Sequence, residues 1–249
     1  MRLAIISDIH GNAYALEVAL ADIAAQGVDQ IVCLGDAIQG GAQPAETVQR
    51  LRNLGCPVVM GNADAWLLTG RETGNEGVTP AQEAVRQWSL AQLSSTDRAF
   101  IAAFTPTIRL QVMDTAALLC FHGSPASFDD IILPTTPDAD VRPYFQGHDA
   151  RWFTGGHTHV QQLRRIDDGF YFNPGSIGVT YRHDQPDDQF HLDPWAEYAI
   201  LTVTPETVSV EFRQAPFAVA SLLDIVQRSG RPHWEQVRRE YDTPGAPTT

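Results

Sequence analysis

Five short apolar runs in this chain end on residue types that bind metal ions, and no other feature of the sequence narrows the fold as much. The five places are Ser7-Asp8-Ile9-His10-Gly11-Asn12, Gly35-Asp36, Gly61-Asn62, Phe121-His122-Gly123 and Gly156-His157-Thr158-His159. Each is weak alone. Asp8 and His10 could be a turn with a helix cap, and an asparagine such as Asn62 is more often a turn residue than a ligand. In an α/β sheet, however, ligands gather outside the carboxyl ends of the strands, so residues that follow separate apolar runs converge in space. His157 and His159 would point to opposite sides of an extended chain, so the pair needs a bend, which Gly155-Gly156 is expected to supply.

The order of elements agrees with such a sheet. Residues 3–7 form an apolar run, and Leu16, Ala19, Leu20 and Ile23 then recur at helix spacing. Residues 30–34 repeat the run, residues 45–54 repeat the helix, and Pro57-Val58-Val59-Met60 follows. This is βαβαβ, hence a parallel sheet with right-handed crossovers. Residues 65–104 read as a helical excursion broken by the turn-rich stretch 70–80. Short strands at 108–112, 117–121, 151–153, 161–166 and 170–172 imply a second, mixed sheet. Residues 198–203 and 208–212 flank a turn as a hairpin, and 218–228 is a helix stopped near Gly230. Two packed sheets with helices outside fit this order. The expectation is one domain over residues 1–242 and a frayed tail at 243–249.

Composition removes several classes. With 249 residues, 43% hydrophobic and 19% charged, the chain is long enough for a sizeable core and ordinary for a soluble protein. No apolar run approaches the roughly 18 residues of a membrane span, and Asp8 arrives too early for a signal-peptide core, so a cytoplasmic location is expected. Cys33, Cys56 and Cys120, odd in number and widely spaced, read as buried reduced thiols. A net charge of −13 with no basic run disfavours nucleic-acid binding. A small phosphate compound can still bind, because bound divalent cations invert the local electrostatics. Nothing in the pattern specifies an oligomeric state.

The motif order D-x-H, G-D, G-N, H and G-H-x-H resembles the calcineurin-like metallophosphoesterases over residues 1 to about 180. Residues 35–44 and Phe172-Asn173-Pro174-Gly175-Ser176-Ile177-Gly178 look like its compact prokaryotic branch, which includes small phosphodiesterases and dinucleoside tetraphosphate hydrolases. The resemblance implies an α/β fold, a four-layer αββα sandwich of two mixed β-sheets flanked by helices. It implies a hydrolase acting on phosphodiester or phosphoanhydride bonds of nucleotide-type substrates. It also implies that Asp8, His10 and His159 hold one metal ion, that Asn62, His122 and His157 hold another, and that Asp36 bridges them. A bridging carboxylate keeps two cations about 4 Å apart, where they can lower the pKa of a shared water and grip both the attacking and leaving oxygens. Such mixed donors suit manganese, the expected metal on family precedent, with iron, zinc or nickel as alternatives, better than magnesium.

One position departs from that family. Where many members carry G-N-H-D/E, this chain has Gly61-Asn62-Ala63-Asp64, and Ala63 cannot donate a proton. Substrates whose leaving group is already a stable anion are therefore expected over plain alkyl monoesters. Asp64, His148 and His183 are alternatives as proton donor, and Asp64 stands with Asp36 and His122 as the expected catalytic set. Asn62, Ser176 and Arg182 are the expected substrate contacts, the last two because the loop at 173–178 borders the metals in relatives and an arginine often follows it. Trp66, just beyond Asp64, could lie over a nucleobase, although Trp66, Trp88, Trp152 and Trp195 read first as packing. Two other readings are a phosphoprotein (Ser/Thr) phosphatase and a non-catalytic scaffold retaining the fold.

Overall fold

A computed structural model describes residues 1–71, 77–186 and 189–242. The expected tail at 243–249 lies outside the described residues, as do residues 72–76 of the turn-rich stretch.

Strand β1 (Arg2–Ile6) alternates its side chains between two apolar faces, Leu3 and Ile5 on one and Ala4 and Ile6 on the other, all fully buried. It pairs in parallel with β2 (Gln30–Cys33), and antiparallel with a strand from the far end of the chain, β8 (Trp195–Val203). With β9 (Val208–Pro216), which forms the expected hairpin with β8, the first sheet has the order β2-β1-β8-β9. The second sheet runs β3 (Ile108–Met113), β4 (Ala116–Cys120), β5 (Trp152–Thr154), β7 (Gly169–Asn173), β6 (Gln162–Ile166). Its three inner strands are parallel and its two edges antiparallel, so both sheets are mixed.

Three apolar layers hold the stack together. Between the sheets, Leu3, Ile5, Val32 and Leu201 share a cluster with Leu118, Cys120, Trp152 and Phe172. Outside the first sheet, Ala4, Ile6, Tyr198 and Ile200 share one with Leu16 and Ala19 of α1 (Ala13–Ala24), Val48 and Leu51 of α2 (Pro44–Leu54), and Leu222 and Val226 of α7 (Val219–Ser229). Outside the second sheet, Leu119, Phe121, Phe153 and Tyr171 cover Val141 and Phe145 of α6 (Asp138–Phe145). Helix, sheet, sheet, helix is the αββα order. The helical excursion consists of α3 (Asn62–Thr69), α4 (Pro80–Gln92) and α5 (Ser95–Ala102), the last two opened by reciprocal caps, Thr79 with Gln82 and Ser94 with Asp97.

Three expectations are corrected. Residues 57–60 do not make a third strand: Val58 and Val59 form only isolated parallel bridges, to Cys33 and Thr105. Pro57 has no N–H to contribute, and the chain enters α3 at Asn62, so the run, though bonded to Cys33 and Thr105, is too short for a continuous ladder. The other flank of β1 is taken by β8, so the expected parallel β1–β2 pair lies in a mixed sheet, as the αββα architecture implies. Helices α6 and α8 (Trp234–Asp242) had no counterpart in the sequence reading; α6 carries an internal proline, Pro143, and α8 is mostly polar. All three cysteines are free, but Cys56 is only half-buried. Among the described residues no helix is long and apolar enough to cross a membrane.

Candidate metal centre

The loops that follow β1 and β2 are tied together by their backbones. Asp8 N–H donates to the Gly35 carbonyl at 3.0 Å and His10 N–H to the Asp36 carbonyl at 2.8 Å. The β5 loop joins them, with His157 N–H donating to Asp8 Oδ2 at 3.1 Å. Asp8, His10, Asp36, His157 and His159 all adopt left-handed backbone, with φ of 53°, 48°, 48°, 68° and 57°. Such conformations cost on the order of 1–3 kcal/mol each in non-glycine residues and persist where the surroundings fix them. The bend between His157 and His159 thus lies in the histidines themselves, and Gly155-Gly156 serves close approach instead. A Cβ on Gly156 would strike Ser7 Oγ and come within 2.7 Å of Asp8 Oδ2, and one on Gly155 would come within 2.5 Å of Phe121 Cε2.

Two groups of donor atoms result, Asp8 with His10 and His159, and Asp36 with His122 and His157, each within 4.8 Å of one another. His159 Nε2 is 3.3 Å from Asp8 Oδ1, and His122 Nε2 is 3.3 Å from Asp36 Oδ2. Asp36 Oδ2 also lies 3.8 Å from His10 Nε2, so this carboxylate stands between the groups. Asn62, at the start of α3, brings its Oδ1 to 3.0 Å from His122 Nε2.

The second nitrogen of three rings faces a backbone carbonyl: His10 Nδ1 with Gln39 at 2.9 Å, His122 Nδ1 with Leu34 at 2.8 Å, His159 Nδ1 with Val179 at 2.6 Å. A carbonyl only accepts, so each Nδ1 carries a proton, and Nε2 is the nitrogen turned inward, a lone pair available to a metal whenever the ring is neutral. His10 Nε2 and His159 Nε2 nevertheless lie 3.1 Å apart, and His122 Nε2 meets the acceptor Asn62 Oδ1. Asp8 Oδ1, fully buried, has no hydrogen-bond partner. Carboxylate, amide and imidazole atoms this close need protons or a cation among them, and the donor set fits divalent cations.

The titration behaviour has the same origin. Burial pushes His122 down, but Asp36 and Asp8 overcome it and raise the ring to about 10. Burial likewise opposes ionisation of Asp36, yet His122, His10 and His157 hold its carboxyl well below the usual range. His10 and His157 are pushed down, mainly by burial.

Other expected site residues fall elsewhere. Asp64 is fully buried, with its two oxygens accepting the amides of Ala37 and Ile38, and burial with the nearby Asp36 charge lifts it to about 7. Ser176, also fully buried, donates its hydroxyl to the Asp8 carbonyl at 2.9 Å and accepts Val179 N–H at 2.9 Å, so it braces the loop that carries Asp8. Arg182 is exposed and engages Asp184 through Nε and Nη2, at 3.0 and 2.7 Å. Trp66 packs under the Arg86 guanidinium, 5.7 Å from ring centroid to Cζ. His148 is exposed and lines neither cavity described below.

A cavity of about 570 Å³ opens over the donors, with His10, Asp36, Asn62, His157 and His159 in its wall beside Ala63. Leu222 and Val226 of α7 and Val237, Glu240 and Tyr241 of α8 also line it, with Arg231 from the turn between the two helices. No motif marked Arg231, because its role comes from a tertiary contact of two distant segments. A second cavity of about 610 Å³ shares His159 and Tyr181 with the first and contains Arg182, His183, Asp193 and Glu197.

Comparison with known proteins places these features. The profile of the calcineurin-like phosphoesterase superfamily domain matches residues 1–201. An uncharacterized protein of Methanocaldococcus jannaschii is 27% identical over 244 residues, 93% of this chain and 94% of that one. A metallophosphoesterase from Sphaerobacter thermophilus superposes with a TM-score of 0.75 at 25% identity, covering 98% of both chains. A hypothetical protein from Pyrococcus horikoshii superposes at 0.80 with 19% identity over 99% of both, a likeness of fold.

Proposed function

Because this chain belongs to the calcineurin-like phosphoesterase superfamily, we propose that it hydrolyses phosphodiester or phosphoanhydride bonds of small, nucleotide-type compounds with two divalent metal ions, manganese by preference. The observation that carries the reading is the pair of donor groups whose lone pairs face one another, with Asp36 between them. Asp8, His10 and His159 would hold one ion, Asn62, His122 and His157 the other, and Asp36 both. When bound, such ions supply the positive charge that acidifies water and stabilises charge developing at phosphorus.

The chain's own residues do the rest. The carbonyls of Gln39, Leu34 and Val179 fix the tautomer and orientation of His10, His122 and His159. Ala63 donates its N–H to Asp36 Oδ1 at 2.8 Å and brings only a methyl group to the cavity. A leaving group that departs as a stable anion needs no acid there. If one is needed, His183 fits best of the three alternatives: it lines the adjoining cavity, and its Nε2 is 2.6 Å from the Thr158 carbonyl, between the two metal-site histidines. A cavity of about 570 Å³ supports a small-molecule substrate over a protein surface, which counts against the phosphoprotein phosphatase reading.

The test is turnover by the Mn²⁺-loaded protein of bis-p-nitrophenyl phosphate, a dinucleoside polyphosphate and a phosphopeptide. Hydrolysis of either of the first two, faster than of the third, is expected. Failure on both, or preference for the phosphopeptide, overturns the reading.

A further inference from the structure

Part of the cavity's apolar lining, Leu222, Val226, Val237 and Tyr241, and its arginine come from beyond residue 201, where the family profile ends. Arg231 lies between α7 and α8, and its Nε donates to the Gly40 carbonyl at 2.6 Å. Gly40 follows Gln39, whose carbonyl holds His10 Nδ1, and a Cβ on Gly40 would lie 3.6 Å from that nitrogen. The guanidinium therefore hangs from the loop that orients a metal-site histidine. Its Nη1 donates to the carbonyls of Pro232 and His233, at 3.0 and 3.4 Å.

What the group lacks is an anion at ion-pair distance. Among the described residues Arg231 forms no ion pair, and its Nη2 has no hydrogen-bond partner, although the residue lines the cavity. Three backbone carbonyls fix the direction of the fork, and Glu240 of α8, in the wall of the same cavity, acts on its charge without coming within ion-pair distance. Leu222, Val226, Val237 and Tyr241 line the same cavity and lower the dielectric around it. A pre-oriented guanidinium in such a setting suits a phosphoryl group, which it can meet with parallel N–H bonds.

We propose that Arg231 is the anion-binding residue of this cavity, taking a phosphoryl oxygen of the substrate, while the wall of Leu222, Val226, Val237 and Tyr241 receives an apolar or ring-bearing part of the same molecule. The substrate class is a small phosphate compound with a ring-bearing body, and the assignment rests on the phosphoesterase reading above.

The experiment compares wild type, Arg231→Ala and Arg231→Lys, all loaded with Mn²⁺, by calorimetric titration of orthophosphate, phenyl phosphate and methyl phosphate, and by KM and kcat for bis-p-nitrophenyl phosphate. Loss of a charge-assisted contact predicts orthophosphate binding weaker by about 10- to 100-fold in Arg231→Ala, with KM rising in step and Mn²⁺ affinity unchanged. Lysine, which keeps the charge and loses the fork, should fall between. Phenyl phosphate should bind more tightly than methyl phosphate, by the same factor in all three proteins. Equal orthophosphate affinity in wild type and Arg231→Ala overturns the anion assignment, as does a loss confined to Mn²⁺ affinity, which marks a residue that only props the Gly40 loop. Equal affinity for the two esters overturns the apolar half. A wild type that neither binds orthophosphate nor turns over any ester overturns the underlying reading, a result distinct from an active wild type indifferent to Arg231.

Discussion

Asp36 and Asp64 lock each other's chain segment in place. Ala63, next to Asp64, donates its N–H to Asp36 Oδ1 at 2.8 Å, and Asp64 accepts the amides of Ala37 and Ile38, next to Asp36, at 3.0 and 2.9 Å. In Asp64→Asn only one of the two oxygens remains an acceptor, which leaves a buried N–H unpaired at a cost of about 1–3 kcal/mol. Expected are a lower melting temperature and weaker Mn²⁺ binding, with no change in how rate depends on leaving-group pKa across aryl phosphodiesters. Selective loss of the poorer leaving groups would instead make Asp64 the proton donor.

The acceptor-rich centre predicts proton release when metal binds. His122 is raised to about 10 by Asp36 and Asp8 against its burial, so it is charged at neutral pH without metal, and Asp8 shifts His159 in the same direction. Metal coordination needs the neutral ring, so protons leave as the ion enters and affinity falls as pH falls. Calorimetry of Mn²⁺ binding in buffers of different ionisation enthalpy should register at least one proton released at pH 7, and chelation should lower the melting temperature. Binding without proton release contradicts the charge distribution described.

Asp36 serves both donor groups and Asn62 only one. Asp36→Asn should cost more than the ~10–100-fold typical of outer partners, removing most activity. Asn62→Ala should weaken one Mn²⁺ binding step by about 10-fold and leave the other near its wild-type value, a split that metal titration resolves. Wild-type rates in both variants would defeat the site.

Glu197 sets a pH dependence of stability away from the metals. It is buried, which lifts its carboxyl to about 7 against the bonds from Gln214 and Trp195. Its folded pKa exceeds the unfolded value of 4.5, so the folded state binds the proton more tightly and stability falls as pH rises from 4.5 through about 7. Glu197→Gln keeps an acceptor for Trp195 Nε1 and removes the titration. Relative to wild type it should gain ~3 kcal/mol between pH 5 and pH 8, read from denaturant melts at both. Equal pH dependence in the two proteins refutes this.

Much of the fold was legible because its signals are local. The periodicity of Leu16, Ala19 and Ile23 marks α1, and alternating strand runs mark the second sheet. The placement of β8 beside β1 was not, because strand partnership depends on pairing across the chain. The metal donors were visible in their residue types, whereas their geometry rests on left-handed backbone at Asp8, His10 and Asp36 that no short motif announces. The partners of Ser176 and Asp64 were illegible for one reason. A polar side chain near a site reads as functional until its partners are known, and here both are occupied by backbone groups. Arg231 stayed hidden because its neighbour Gly40 is 191 residues away.

The pairing of Arg2 with Thr202 in adjacent antiparallel strands has a consequence for assembly. Until the late hairpin arrives, β1 has one flank unpaired and the loop bearing Asp8 lacks the Ser176 segment that braces it from behind. Closing so long a loop is slow. The candidate metal centre is therefore expected among the last parts of the molecule to mature, with its earliest strand open to mispairing while it waits.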